Sequence, residues 1–302
     1  MQIKEKNLRL ISKLMLLTAT VIWGSSFFIL KNTLDELPTF FLLSFRFLAA
    51  AVIMSIVFIK RFKRFTFKHL WAGLLTGAAL GIAYAAQTVG LKNTTPGINA
   101  FLTATYCIIV PFLMWTVTKK APDKFNLAAA VICLAGIGLV CLGSGGVSFG
   151  FMGEGLTLLC GFFFALHIVA VAVWGKELDL IVYTVFQFFA AFLVCLAFFF
   201  ICGEAIPDGI SASSWLSLAY LTVLCTLVCF LFMNFGIKHT SAAYSSLVLC
   251  LEAVFGVLFS IAFYPDEHIT LQIGCGFAVI FAGVVINETK LSFLPCFKTG
   301  KK

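Results

Sequence analysis

Arg46, His167 and Glu252 stand inside long apolar stretches, where an ionisable side chain is expensive. A charge at the centre of a bilayer-spanning helix costs roughly 2.5–3.5 kcal/mol on insertion scales, so each needs a partner or a task. Arg46 offers a planar guanidinium that can clamp a carboxylate. Its alternatives are a structural ion pair, a gate, or snorkelling to the surface, and a structural or gating role is favoured. Glu252 is either a counter-charge for a cationic group and a proton carrier, or a hydrogen-bonded packing residue; the two readings stand level. His167 suits proton-linked chemistry or substrate contact, although a neutral histidine bonded across helices is the commoner use. At about 1.5 Å per helical residue, Arg46 falls roughly 10–12 Å from one end of its stretch and Glu252 roughly 16 Å from one end of its own. If both line one cavity, the ligand that fits them carries a carboxylate and an ammonium, as amino acids do.

Uncharged polar and aromatic residues share these stretches: Trp23, Ser25, Ser26, Gln87, Asn99, Thr103, Tyr106, Gln187, Asn234, Tyr244 and Ser245. Asn99 and Tyr106 fall on one helical face. A half-polar face in lipid needs a cavity or another helix against it, and Trp23 and the tyrosines add stacking or cation–π contacts. The expected substrate-binding set is Trp23, Ser26, Arg46, Gln87, Asn99, Tyr106, His167, Gln187, Tyr244 and Glu252, although most of these residue types, taken singly, more often pack. No catalytic residue, cofactor or metal site is expected. The eleven cysteines are scattered without a CxxC or Cys/His cluster. His69, His167, His239 and His268 are dispersed, and there is no phosphate-binding P-loop.

The elements that must position these residues follow from composition. The chain has 302 residues, 61% of them hydrophobic and 11% charged, with a mean hydropathy of +1.06. A soluble domain carries about 25% charged residues, so a soluble enzyme of this make-up could not cover its surface, and disorder is excluded for the same reason. What remains is an all-α integral membrane protein. A spanning helix needs about 20 apolar residues. The expected spans are 12–31, 39–59, 69–91, 96–118, 125–142, 153–174, 180–202, 213–236, 241–263 and 269–287, with basic tails at 1–11 and 288–302. Asp35-Glu36-Leu37-Pro38, Lys60-Arg61-Phe62-Lys63-Arg64, Gly143-Ser144-Gly145-Gly146 and Pro207-Asp208-Gly209 mark breaks between them. Lys4, Lys6, Arg9 and Lys13 precede a first run too long for a cleaved signal, so it stays as a span. With ten spans and both termini cytoplasmic, eighteen of the 21 Lys and Arg fall inside, only Lys31 and Lys92 outside, and Arg46 within a span. Cytoplasmic loops carry such an excess, so the net charge of +8 reads as orientation and not as nucleic-acid binding.

The two halves, 12–142 and 153–287, repeat. Phe45-Arg46-Phe47-Leu48-Ala49-Ala50 matches Phe186-Gln187-Phe188-Phe189-Ala190-Ala191, and Gly90-Leu91-Lys92-Asn93-Thr94-Thr95 matches Gly236-Ile237-Lys238-His239-Thr240-Ser241. Ala135-Gly136-Ile137 matches Ala282-Gly283-Val284, His167 pairs with Ser26, and Asn99 with Ser245. Five spans per repeat is an odd number, so the second repeat enters the membrane from the opposite side. Such inverted repeats support alternating access around a site near the midplane. Gly73, Gly77, Gly81 and Ala85 recur every four residues, as does a close-packed helix face, and Gly274 and Gly276 are expected to serve the last span similarly.

In this order the segments resemble the drug/metabolite transporter superfamily, and within it the EamA-type transporters. The segments that carry the resemblance are Ile22-Trp23-Gly24-Ser25-Ser26-Phe27, Arg46-Phe47-Leu48-Ala49-Ala50, Thr94-Thr95 through Asn99-Ala100-Phe101-Leu102-Thr103 to Val110-Pro111, Thr240-Ser241-Ala242-Ala243, Leu251-Glu252-Ala253-Val254-Phe255, and Glu267 with Thr270, Gln272-Ile273-Gly274 and Gly283-Val284. They cover about 15–288 and are more specific for fold than for substrate. Two departures stand out. Ala253 replaces the family's usual proline, and Lys119-Lys120 replace an acidic residue, with Asp123 nearby. The resemblance implies ten helices and secondary transport of small metabolites, often export of amino acids or related solutes, with proton coupling an open option. The expected setting is the plasma membrane, above all a bacterial inner membrane, and the expected partners are a small-molecule substrate, lipid and protons. Efflux of lipophilic cations is the alternative. A channel would carry polar residues along a whole lumen, whereas here they cluster at mid-span, and a membrane enzyme would gather His, Asp and Glu at one face.

Overall fold

The computed structural model describes residues 2–141, 150–263 and 270–290. The turn expected at Gly143-Ser144-Gly145-Gly146, together with Glu267, His268, Cys296 and the 291–302 tail, lies outside the described residues. The elements are α1 (Gln2–Thr33), α2 (Thr39–Val57), α3 (Phe67–Lys92), α4 (Pro96–Thr103), α5 (Tyr106–Thr118), α6 (Lys124–Cys141), α7 (Leu156–Trp174), α8 (Leu180–Ile201), α9 (Ala212–Tyr220), α10 (Cys229–His239), α11 (Ala242–Leu249), α12 (Glu252–Phe263) and α13 (Leu271–Thr289). No strand forms among the described residues. Eight helical stretches are long and apolar enough to cross a membrane: Glu5–Thr33, Thr39–Val57, Phe67–Lys92, Pro96–Thr118, Phe151–Trp174, Leu180–Ile201, Ala212–His239 and Ala242–Phe259. Lys124–Val140 and Leu271–Asn287, expected as the fifth and tenth spans, are apolar but shorter.

Polar residues start these helices where the apolar runs begin. Thr95 accepts from the Ile98 N–H with Pro96 at the first helical position, and Ser241 accepts from Tyr244 N–H at the matching place in the second half. Ser211 and Thr270 do the same for α9 and α13. Each supplies an acceptor for an N–H that the first turn cannot satisfy. Within the spans expected at 96–118 and 241–263 the helix is interrupted, at Ala104-Thr105 and at Cys250-Leu251. In both breaks a side chain turns back on a carbonyl three residues earlier. Thr105 Oγ1 donates to Leu102 O at 2.6 Å, and Cys250 Sγ donates to Leu247 O at 2.9 Å. Such local bonds offer the backbone an alternative to the helical ladder.

The helices sort into two bundles. In one, α1 packs against α10, α11 and α12; in the other, α7 packs against α3, α4 and α5. Exchanging the two halves of the chain turns the first set into the second, so each bundle mixes both repeats. The pairs α2–α8 and α6–α13 join equivalent helices directly, and α4–α5 meets α11–α12 at the centre. Equivalent helices run in opposite directions. The start of α3 lies beside Asp179, which accepts from Arg64 at 3.1 Å and whose N–H donates to His69 Nε2 at 3.0 Å. The start of α9 instead lies beside Glu36, which accepts from the Ser211 N–H at 2.6 Å. The end of α10 returns to the basic face, where Lys238 donates to Leu178 O at 3.0 Å. At the opposite face Lys31 of α1 donates to Leu91 O at 2.6 Å and to Lys92 O and Thr94 O at 3.3 Å. Both mouths between the bundles are thus bridged by a lysine reaching the carbonyls at or just past a helix end, the polarity a helix C-terminus favours.

The small-residue face of α3 lies on α8. A Cβ on Gly77 would stand 2.6 Å from Gln187 Cα, and one on Gly81 2.8 Å from Val194 Cβ. In the α6–α13 pair, Gly136 and Gly276 face each other, each within 2.9 Å of the other's carbonyl if given a Cβ. Gly274 departs from the expectation set for it: no described residue lies within 4 Å of the Cβ position, so it packs against none of them.

Candidate functional site

A small cavity of about 50 Å³ lies between the two bundles. Of the residues singled out by type and spacing, Trp23, Ser26, Arg46, Gln87, Tyr106, His167 and Glu252 line it. The repeat explains how they converge. Because Thr95 and Ser241 cap matching helices, Tyr106 corresponds to Glu252, and each is the first residue of its second half-helix. Gly90 matches Gly236, so Tyr84 corresponds to Phe230 and Gln87 to Met233; likewise Trp23 pairs with Phe164. Every residue in these pairs lines the cavity, which is two-fold in shape but not in chemistry. Each of its ionisable charges matches an uncharged residue in the other half: Arg46 corresponds to Gln187, and Glu252 to Tyr106.

Arg46 is 2% exposed. Its Nε donates to Thr226 Oγ1, whose own hydrogen goes to Leu221 O at 2.8 Å. The guanidinium lies 4.9 Å from the Tyr84 ring centre, with one N–H 3.5 Å from the Tyr84 hydroxyl. Thr226 belongs to a π-helical stretch, Leu221–Val228, between α9 and α10. The same stretch offers the Cys225 carbonyl to Trp23 Nε1 at 2.7 Å, holding the indole edge-on to Phe230. Such π stretches recur at functional sites because they release backbone groups from the ladder. No carboxylate is ion-paired with Arg46 among the described residues. A guanidinium carries five N–H donors, so most of its capacity is unspent.

Glu252 is 8% exposed and opens α12. A carboxylate there is favoured by the positive end of the helix dipole. It makes no ion pair with Arg46 or with any other described residue. Two opposite charges therefore face one cavity without meeting. Around them stand Trp23, Tyr84, Tyr106, Phe164 and Phe230. Tyr84 lies edge-on to Phe164 at 5.3 Å, and Tyr106 at 6.4 Å.

Three expected residues sit elsewhere. Asn99 is fully buried away from the lining, donating to Gln87 O at 3.2 Å and to Thr157 Oγ1 at 2.9 Å, so it ties α3, α4 and α7 together. Gln187 stands one residue behind the lining and touches His167. Tyr244 lies near the basic end, its ring 4.9 Å from Lys13 Nζ. Among the lining residues that residue type alone did not single out are Tyr84, Phe164 and Phe230. The repeat carried a signal for them, since each matches an aromatic residue in the other half.

A family model described as the EamA-like transporter family matches the chain twice, over residues 10–142 and 151–289. Two proteins of Archaeoglobus fulgidus, each named an uncharacterized transporter, are 27% identical over 287 residues and 26% identical over 285. Each alignment covers 92% of this chain, and 86% and 97% of the respective relative. A solved crystal structure superposes with a TM-score of 0.76 at 16% identity, covering 94% of this chain and 98% of its own.

Proposed function

The chain belongs to the EamA-like transporter family, and from that premise we propose that it carries a small zwitterion of the amino-acid type. The observation that supports this reading is the pair of unpaired opposite charges, Arg46 and Glu252, on one aromatic-walled cavity. A charge buried without a counter-charge is costly. A ligand bearing a carboxylate and an ammonium relieves both charges at once: the carboxylate takes the free N–H groups of Arg46, and the ammonium takes the Glu252 carboxylate and the aromatic faces. The cavity opens to one side at a time as the two bundles rock, each opening releasing one of the Lys31 and Lys238 bridges that are both formed here. We take the basic face as cytoplasmic, α6 and α13 as the fifth and tenth crossings, export as the direction, and the bacterial inner membrane as the setting. Glu252 serves proton coupling by exchanging the ammonium for a proton.

Uptake into proteoliposomes tests this against a panel of amino acids, a lipophilic cation and a neutral sugar, with and without a pH gradient. Saturable amino-acid flux that responds to the gradient is the expected result. Absence of flux for every amino acid, from folded protein, ends the zwitterion reading. The aromatic walls and Glu252 also favour a second reading, efflux of lipophilic cations. In that case the cation moves, the amino acids do not, and Arg46 is dispensable.

A further inference from the structure

Behind the cavity wall runs a chain of hydrogen bonds whose direction is fixed from a backbone carbonyl. Thr184, Asn234, Gln187 and His167 are each fully buried. The single hydroxyl hydrogen of Thr184 goes to Leu180 O at 2.6 Å. Toward Asn234, 2.8 Å away, Thr184 Oγ1 can therefore only accept, so Asn234 turns its Nδ2 to it. The second Nδ2 hydrogen reaches Gln187 Oε1 at 3.4 Å, so Gln187 presents its oxygen and not its nitrogen. That oxygen is also 3.1 Å from His167 Nε2. An amide oxygen has no hydrogen to give, so the hydrogen between them sits on Nε2. His167 is left with a bare lone pair on Nδ1, which is buried and has no partner among the described residues. His167 lines the same cavity as Glu252.

We infer that His167 Nδ1 accepts a hydrogen bond from an N–H of the transported solute, and that Thr184, Asn234 and Gln187 are positioning residues that set its tautomer. A buried acceptor left empty is penalised, so the site favours a cargo with a hydrogen to offer over one of like charge without it. This rests on the zwitterion reading for the identity of the donor, but the tautomer does not depend on it. An ordered water is the other occupant that could satisfy Nδ1.

The test has two arms on the full chain in lipid. In the first, nitrogen NMR of histidine-labelled protein reads the tautomer, with His167 assigned by loss of its signals in His167→Gln. The native protein is expected to show hydrogen on Nε2. Asn234→Asp, studied at a pH where its carboxyl is ionised, offers only acceptors, so Gln187 must turn its amide round, and His167 is expected to switch to hydrogen on Nδ1. Thr184→Val, which removes only the anchoring hydroxyl, is expected to give a mixture and covers the case in which the Asp variant does not fold. Hydrogen on Nδ1 in the native protein, or a pure Nε2–H form in the folded variants, overturns the positioning chain. In the second arm, binding of L-leucine is compared with its N,N,N-trimethyl derivative, which keeps both charges but has no N–H. The native protein is expected to prefer leucine by roughly tenfold or more, the scale of one hydrogen bond to a charged group, and His167→Leu to lose that part of the preference. A preference undiminished in His167→Leu comes from probe size or from the Glu252 contact and overturns the cargo contact, leaving water on Nδ1. Binding of neither probe overturns the zwitterion reading and the cargo contact together, while the NMR arm still decides the tautomer.

Discussion

Arg46 and Glu252 are the residues on which the two functional readings part. Neutralising Glu252 as Glu252→Gln removes the anchor for any cation, so transport of amino acids and of lipophilic cations should both fall. Arg46→Gln separates them. For a zwitterion, losing the guanidinium should raise KM by roughly tenfold or more, the scale of a charge-assisted hydrogen bond. For a lipophilic cation it should leave flux unchanged or raise it, since a like charge has gone. Arg46→Lys should not restore zwitterion transport, because the bond to Thr226 and the stacking over Tyr84 use the planar fork. Initial rates in proteoliposomes, normalised to folded protein, measure all three variants. Equal loss of both substrates in Arg46→Gln would return Arg46 to the structural role first favoured for it.

At the scale of the helices, close approach and end-to-loop clips set stability. Gly77→Ala places a methyl group against the Gln187 backbone, so α3 and α8 must separate, at an expected cost of about 1–3 kcal/mol. Gly274→Ala meets no described residue within 4 Å and should leave stability unchanged or raise it by up to about 1 kcal/mol through helix propensity. Thermal unfolding in detergent compares the two, and a large loss for Gly274→Ala would contradict the α13 packing described above. The loop clips respond to pH. Glu36 accepts from the Ser211 hydroxyl and N–H and from the Ser214 hydroxyl, which hold its carboxyl below the ordinary 4.5. A carboxyl lowered on folding stabilises the fold above its unfolded value and loses that contribution as pH falls through the folded one. The melting-temperature gap between the native protein and Glu36→Gln should therefore be present at pH 7 and shrink below pH 4.5. A gap that does not change with pH would mean the clip acts without its charge.

For the whole molecule, the reading requires the basic face to be cytoplasmic. In a cysteine-free background, an impermeant maleimide should label Asp208→Cys in intact cells and Lys63→Cys only after permeabilisation. The reverse pattern would invert the orientation and with it the direction assigned to the pump. Each bundle is built from both repeats, so neither half of the chain encloses the cavity alone. The two halves should not transport when expressed singly, while co-expression restores the paired surfaces.

Much of this was legible in the residues. Period and composition determined a helical membrane protein, because lipid permits only long apolar helices with internally satisfied backbones. The ordered matches between the halves determined the repeat, and burial cost alone singled out Arg46, His167 and Glu252. Spacing along one helix cannot say which faces of different helices meet. Only the packing decided that Asn99 ties helices together while Tyr84, Phe164 and Phe230 wall the cavity. It also decided that the stretches at 96–118 and 241–263 break at matching points, Ala104-Thr105 and Cys250-Leu251, where neither proline nor glycine stands. That Arg46 and Glu252 form no ion pair among the described residues follows from how the helices pack, which spacing along one helix does not reveal.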